Sequence, residues 1–123
     1  MKYLILGNGP AGVVAAETLR RNDKAGEIVM VGSENLPPYS RMAIPYFLEG
    51  NIDERGMYLR KDSQHFADLG ITEKDAKAVR LDTDAKTVHY ADGSSETYDR
   101  LLIATGSRPF QPPIPGINRP QVQ

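Results

Sequence analysis

Met1-Lys-Tyr-Leu-Ile-Leu-Gly-Asn-Gly-Pro-Ala-Gly12 opens the chain and decides how the rest is read. Tyr3 to Leu6 is an apolar run without polar alternation, as expected of a parallel strand covered on both faces. It passes straight into Gly7-x-Gly9-x-x-Gly12, and a helix-forming run, Val13 to Arg21, follows at once. Gly7 allows a sharp turn, Gly9 removes a side chain where an anion must approach the backbone, and Gly12 lets the helix pack close to the strand. Pro10 suits a helix start, where a missing N–H costs little. Ala11, Ala15 and Ala16 are small enough to help that packing. The helix then offers free N–H groups and the positive end of its dipole to an anion. Strand, glycine turn and helix N-terminus together are the geometry that holds a pyrophosphate.

Working outward, a polar turn over 22–27 leads to Ile28-Val-Met-Val31, a second buried strand. Strand, helix and strand make a βαβ unit, whose crossover should be right-handed. Glu34 stands just past the second strand, about 20 residues beyond the glycine turn, where a carboxylate accepts hydrogen bonds from an adenosine ribose. An acid there favours a free 2′-hydroxyl over a 2′-phosphate; otherwise Glu34 sits on a solvated loop. Residues 35–50 crowd three prolines and three aromatics into a connection. Such a segment suits the wall of an apolar pocket. Arg41 within it is placed for a phosphate or a ring carbonyl, or else for solvent.

Asp62 to Leu69 is expected to be helical, with Phe66 and Leu69 on one face and Gly70 as its stop. His65, with no evident partner in the sequence, reads as a surface or boundary residue, and Ile71-Thr72 as a brief strand. Over 78–98 the period changes to two: Val79 and Leu81 alternate with Arg80 and Asp82, then Val88 and Tyr90 with Thr87 and His89. With turns at Thr83 to Lys86 and at Asp92-Gly93, this is a three-stranded antiparallel meander of half-buried strands. Leu101 to Ala104 returns to an unbroken apolar run, expected as a third parallel strand ending at Thr105-Gly106. Ser107 to Gln123 holds five of the nine prolines and has no periodicity, as in a connector. The fold class is therefore α/β, a Rossmann-like βαβ parallel sheet with a β-meander. The expected division is 1–108 for the nucleotide-binding part and 109–123 for the connector.

The chain has 123 residues, a net charge of −1, 40% hydrophobic and 25% charged residues. Charges of both signs are dispersed, so nothing points to nucleic acid. Apolar runs of about four residues span no membrane. The start does not read as a signal peptide, which makes the cytoplasm the expected compartment. With no cysteine and two well-separated histidines, thiol chemistry within this chain is excluded and a metal site is not expected.

Four pieces, in order, carry a resemblance. They are Gly7-Asn-Gly-Pro-Ala-Gly12; Glu34 with Pro38-Tyr-Ser-Arg41; Asp92-Gly93 with Tyr98-Asp-Arg-Leu-Leu-Ile-Ala-Thr-Gly-Ser-Arg-Pro109; and Pro113-Ile-Pro-Gly116. Together they resemble the N-terminal FAD segment of the FAD-dependent pyridine nucleotide-disulfide oxidoreductases, which include NADH oxidases, nitrite reductase large subunits and rubredoxin or ferredoxin reductases. The resemblance implies that Gly7, Gly9, Pro10, Ala11 and Gly12 cradle the FAD pyrophosphate and that Glu34 binds the ribose. It implies that Arg41 contacts the cofactor, that Val79 meets adenine through its backbone, and that Ala104, Thr105 and Gly106 line the cofactor where the chain leaves the domain.

The departures narrow the expectation. The redox cysteine pair of disulfide reductases is absent. Met42 stands where some NADH oxidases have a flavin-facing cysteine, and Pro45-Tyr46 replaces the Ser-Lys of many ferredoxin reductases. Nitrite-reductase-like or simple electron-transferring flavoproteins remain. The family's second glycine fingerprint, for NAD(P)H, is also absent, so the resemblance implies a partial FAD/NAD(P)-binding domain whose partner is the remainder of the same protein. The implied function is electron transfer from NAD(P)H through FAD to an unidentified acceptor, with no residue here assigned as catalytic. The alternatives are a stand-alone adenine-dinucleotide module for NAD or ADP, and a fragment that associates with itself as a homo-oligomer.

Overall fold

The unbroken apolar runs are explained by what covers them. The computed structural model describes residues 1–108, 110, 112–117 and 119. Along the chain run β1 (Lys2–Leu6), α1 (Pro10–Asn22), β2 (Glu27–Gly32), α2 (Ile44–Leu48), α3 (His65–Asp68), β3 (Ile71–Asp75), β4 (Ala78–Asp82), β5 (Thr87–Tyr90), β6 (Ser95–Thr97) and β7 (Arg100–Ile103). A parallel sheet has the order β3-β2-β1-β7, and an antiparallel one the order β4-β5-β6. The central strands are packed on both sides. Ile5, Ile28, Met30 and Ile71 face one way, onto Val13 and Ala16 of α1 and Phe66 of α3. Leu4, Leu6, Val29 and Val31 face the other way, onto Val88 and Tyr90 of β5. Each such aliphatic side chain contributes about 1.5–3 kcal/mol by leaving water.

The meander is tied to the parallel sheet by a polar knot as well as by that core. Glu96 accepts hydrogen bonds from Lys2 Nζ at 2.9 Å, Lys74 Nζ at 3.0 Å and the Tyr90 hydroxyl at 3.0 Å. Burial alone would raise the Glu96 carboxyl, but these donors outweigh it and hold the group below its ordinary value. Burial, then the bond to Glu96, pushes the Tyr90 phenol up. The turn at Asp92-Gly93 forms as expected, with Gly93 at φ +85°.

Several expectations are revised. The first helix begins at Pro10 rather than Val13, which puts proline in its first turn. Ile71-Thr72 grows into a full parallel edge strand, β3, whose outer half is polar because only one neighbour covers it. The helix expected over Asp62 to Leu69 contracts to α3, ending at Gly70 with φ +63°. In the meander, Val79 is 59% exposed and Leu81 36%, since β4 is the outer strand and a bulge between Ala78 and Arg80 breaks the alternation. In β7, Leu102 and Ile103 are exposed because the strand lies at the sheet edge. Of the connector expected over 109–123, Pro109, Gln111, Asn118 and 120–123 lie outside the described residues, and 115–117 form a turn. Among the described residues no helix is long and apolar enough to cross a membrane.

Candidate functional site

The carboxyl ends of β1, β2 and β7 open into one cleft of about 520 Å³. Its floor is the glycine turn. At Gly7, φ is +115°, and an added Cβ would lie 2.1 Å from the Ala104 carbonyl oxygen. At Gly12 the corresponding atom would lie 1.9 Å from the Gly7 carbonyl oxygen. These two glycines therefore permit backbone-to-backbone contact, between the turn and β7's exit and between the turn and α1. Gly9 differs: a Cβ there meets nothing within 4 Å and projects into open space, and Gly9 lines the cleft. That open space above the backbone is what a phosphate needs.

The same turn begins α1. Gly9 is its N-cap and supplies no side-chain cap, and no acidic residue occupies the first turn. The N–H groups of Ala11 and Gly12 are thus left without an intrahelical acceptor at the positive end of the helix. Arg41, Lys77 and Arg108 line the cleft against the single carboxylate of Glu34. A surplus of donors and cations surrounds a volume without side chains, which is the donor set an anionic pyrophosphate requires.

Of the residues singled out from the sequence, Gly7, Gly9, Pro10, Ala11, Glu34, Arg41, Ala104, Thr105 and Gly106 come together on this cleft. Gly12 lies buried beneath it. Val79 does not line it; Ala78, Lys77 and Ala76 do. The pairing with β5 shifts register between Ala78 and Arg80, and Val79 is left exposed. Tyr39, Ser40 and Arg108 line the cleft without having been singled out individually, although each belongs to a motif quoted above. Proximity to Arg41 in Pro38-Tyr-Ser-Arg41 was the available signal for Tyr39.

Glu34 is not idle. It accepts the Tyr39 hydroxyl at 2.7 Å and pairs with the Arg41 guanidinium, whose carbon lies 5.9 Å from the Tyr39 ring centroid. The bond to Glu34, with some burial, raises the Tyr39 phenol. Exposed side chains of this kind exchange partners at little cost.

A second cavity of about 380 Å³ shares Asn8 and Gly32 with the first but runs along the α1 side of β3. It is lined by Asp62, Glu73 and Asp75 and by Arg60 and Lys74, whose charges are already paired with Glu17 and Glu96, and burial raises the Glu73 carboxyl. That lining is wrong for an anion. Among the described residues no group of three His, Asp or Glu side chains is placed to hold a metal ion.

A Rossmann-like unit with its glycine turn at the carboxyl edge of a parallel sheet defines the class. The sequence profile described as pyridine nucleotide-disulphide oxidoreductase matches residues 1–123. The chain belongs to that family. It is 38% identical to the NADH-dependent phenylglyoxylate dehydrogenase subunit epsilon of Aromatoleum evansii, over 95% of this chain and 28% of the relative. It is 39% identical to rhodocoxin reductase of Rhodococcus erythropolis, over 99% of this chain and 29% of the relative. Among solved structures, the covalent putidaredoxin reductase–putidaredoxin complex superposes with a TM-score of 0.84 at 31% identity, covering 91% of this chain and 27% of the other. The chain thus spans under a third of the length of these relatives.

Proposed function

We propose that this chain builds the adenosine and pyrophosphate part of an FAD site, in an oxidoreductase that passes electrons from NAD(P)H through FAD to an acceptor. The observation that carries the reading is the cleft above Gly9, open where a side chain would stand and faced by the start of α1. Gly9, Ala11 and Gly12 would present backbone to the pyrophosphate, with Pro10 setting the start of the helix and Gly7 holding the turn against Ala104. Glu34 would accept the ribose hydroxyls, Arg41 would add a charge-assisted bond to phosphate, and Ala78 would approach the adenine end. Ala104, Thr105 and Gly106 would line the path toward the flavin.

When bound, the flavin supplies the hydride and electron chemistry. The chain's own residues bind, orient and neutralise charge, and the reading assigns none of them as acid, base or nucleophile. The name of one relative, a rhodocoxin reductase, supports an acceptor that is a separate protein. We place the boundary between nucleotide-binding part and connector near residue 108. Calorimetry with FAD, ADP and NAD on the purified chain tests the reading. FAD and ADP should bind with similar affinity, and NAD, which carries the same adenosine diphosphate, no more tightly than FAD; tighter binding of NAD would favour a stand-alone nicotinamide-dinucleotide module instead.

A further inference from the structure

Tyr39 and Arg41 reach the cleft from a segment that has no strand or long helix of its own, so something must hold it. Its partner is the returning chain: Ser40 N–H donates to the Met57 carbonyl at 2.9 Å and Leu59 N–H to the Pro38 carbonyl at 2.8 Å, with Tyr39 and Tyr58 forming a single antiparallel bridge. The next residue, Arg60, turns onto α1. Its Nε donates to Glu17 Oε1 at 2.6 Å and its Nη2 to Glu17 Oε2 at 2.7 Å, a two-pronged fork. Its Nη1 donates to the Leu59 carbonyl at 2.6 Å, locking the fork to the paired segment itself. His65 Nε2 adds a contact to Glu17 Oε1 at 2.8 Å.

This pair is unlike the one in the cleft. The Glu17 side chain is 14% exposed and Arg60 34%, against 40% and 71% for Glu34 and Arg41. A forked, half-buried pair fixes orientation where an exposed pair does not. Its place on α1 matters too, because α1 also carries the open N–H groups of the glycine turn. One helix therefore lines the cleft at its start and anchors the segment that brings Tyr39 and Arg41 to it.

We propose that Arg60, through its fork to Glu17, is a positioning residue for dinucleotide binding, holding the 38–41 segment so that Arg41 faces the pyrophosphate turn. The inference rests on the reading of the cleft as a dinucleotide site. Arg60 itself does not line that cleft. Its effect passes through Arg41, and loss of the fork removes the benefit of Arg41 without touching the ligand.

A double-mutant cycle on the chain tests this, with FAD affinity read by flavin fluorescence and ADP affinity by calorimetry. Arg41→Ala and Arg60→Ala should each weaken binding by about tenfold, and the double variant by little more, rather than the roughly hundredfold that independent sites give. Arg60→Lys, which keeps the charge and loses the fork, should fall between. If Arg60→Ala binds like the wild type, or if the two losses multiply in full, the positioning role is overturned while the cleft reading stands. If the wild-type chain takes neither FAD nor ADP, the cleft reading itself falls.

Discussion

Gly7→Ala is the most informative substitution in the turn. Two costs arise there. The backbone has φ +115°, which a side chain tolerates only at about 1–3 kcal/mol. The added methyl would also stand 2.1 Å from the Ala104 oxygen and 2.5 Å from its carbon, both backbone atoms that no rotamer change can move. Relief requires sliding β7's exit away from β1, against the Ala104 N–H bond to the Leu6 carbonyl at 2.7 Å. Overpacking of that kind costs about a further 1–3 kcal/mol. The total is about 2–6 kcal/mol, a large part of the stability of a domain this size. Gly50→Ala is the control: φ is +77° but a Cβ there meets nothing within 4 Å, so only the conformational cost remains. Urea unfolding of both variants, followed by circular dichroism, separates the terms. Equal losses at the two sites would refute the claim that the turn is held by direct contact with β7.

The remaining predictions follow from the same geometry. Gly9→Ala should lower stability by less than about 1 kcal/mol, because its backbone is extended and unobstructed, yet weaken FAD and ADP binding severalfold in fluorescence and calorimetric titrations. Ala78→Leu should narrow the cleft and weaken nucleotide binding with little change in unfolding midpoint, whereas Val79→Ala should do neither. Glu96 has a depressed carboxyl, so its stabilising contribution is complete above the ordinary value of 4.5 and is lost as pH falls through the lower folded value. Glu96→Gln should flatten that acid limb in urea midpoints measured from pH 3 to 7, and cost about 1–3 kcal/mol at neutral pH by leaving Lys2 and Lys74 short of a partner. Lys2 is shifted upward, chiefly by its bond to Glu96, so its share persists below 10.5 and fades only as pH rises beyond that.

What could be read from the sequence was local. Leu4 to Leu6 and Ile28 to Val31 announce buried parallel strands because both faces of each find cover, and Gly7 to Gly12 announces the turn by the spacing of its glycines between a strand and a helix start. Signals that depend on distant neighbours were not legible. Glu73 to Asp75 do not look like strand, since β3 is an edge strand with polar residues on its open side. That Ala78 rather than Val79 lines the cleft, beside a bulge in the pairing with β5, does not show in the alternation around it. Leu102 and Ile103 have the composition of a core strand and the exposure of an edge. His65 has no partner within its own helix; it finds Glu17 across the fold, beside Arg60. For the same reason Arg60 offers no sign in the sequence of reaching α1.

The central claim is that the pyrophosphate of a dinucleotide sits over the glycine turn at the start of α1. Backbone amide shifts recorded while ADP is added, with adenosine as the comparison, test it most directly. ADP should move the amide signals of Gly9, Ala11, Gly12 and Thr105 together, and adenosine should leave those four nearly unchanged while shifting signals near Ala78. Movement centred instead on Glu73 and Asp75, in the acidic cavity, or an identical response to both ligands, would contradict the account.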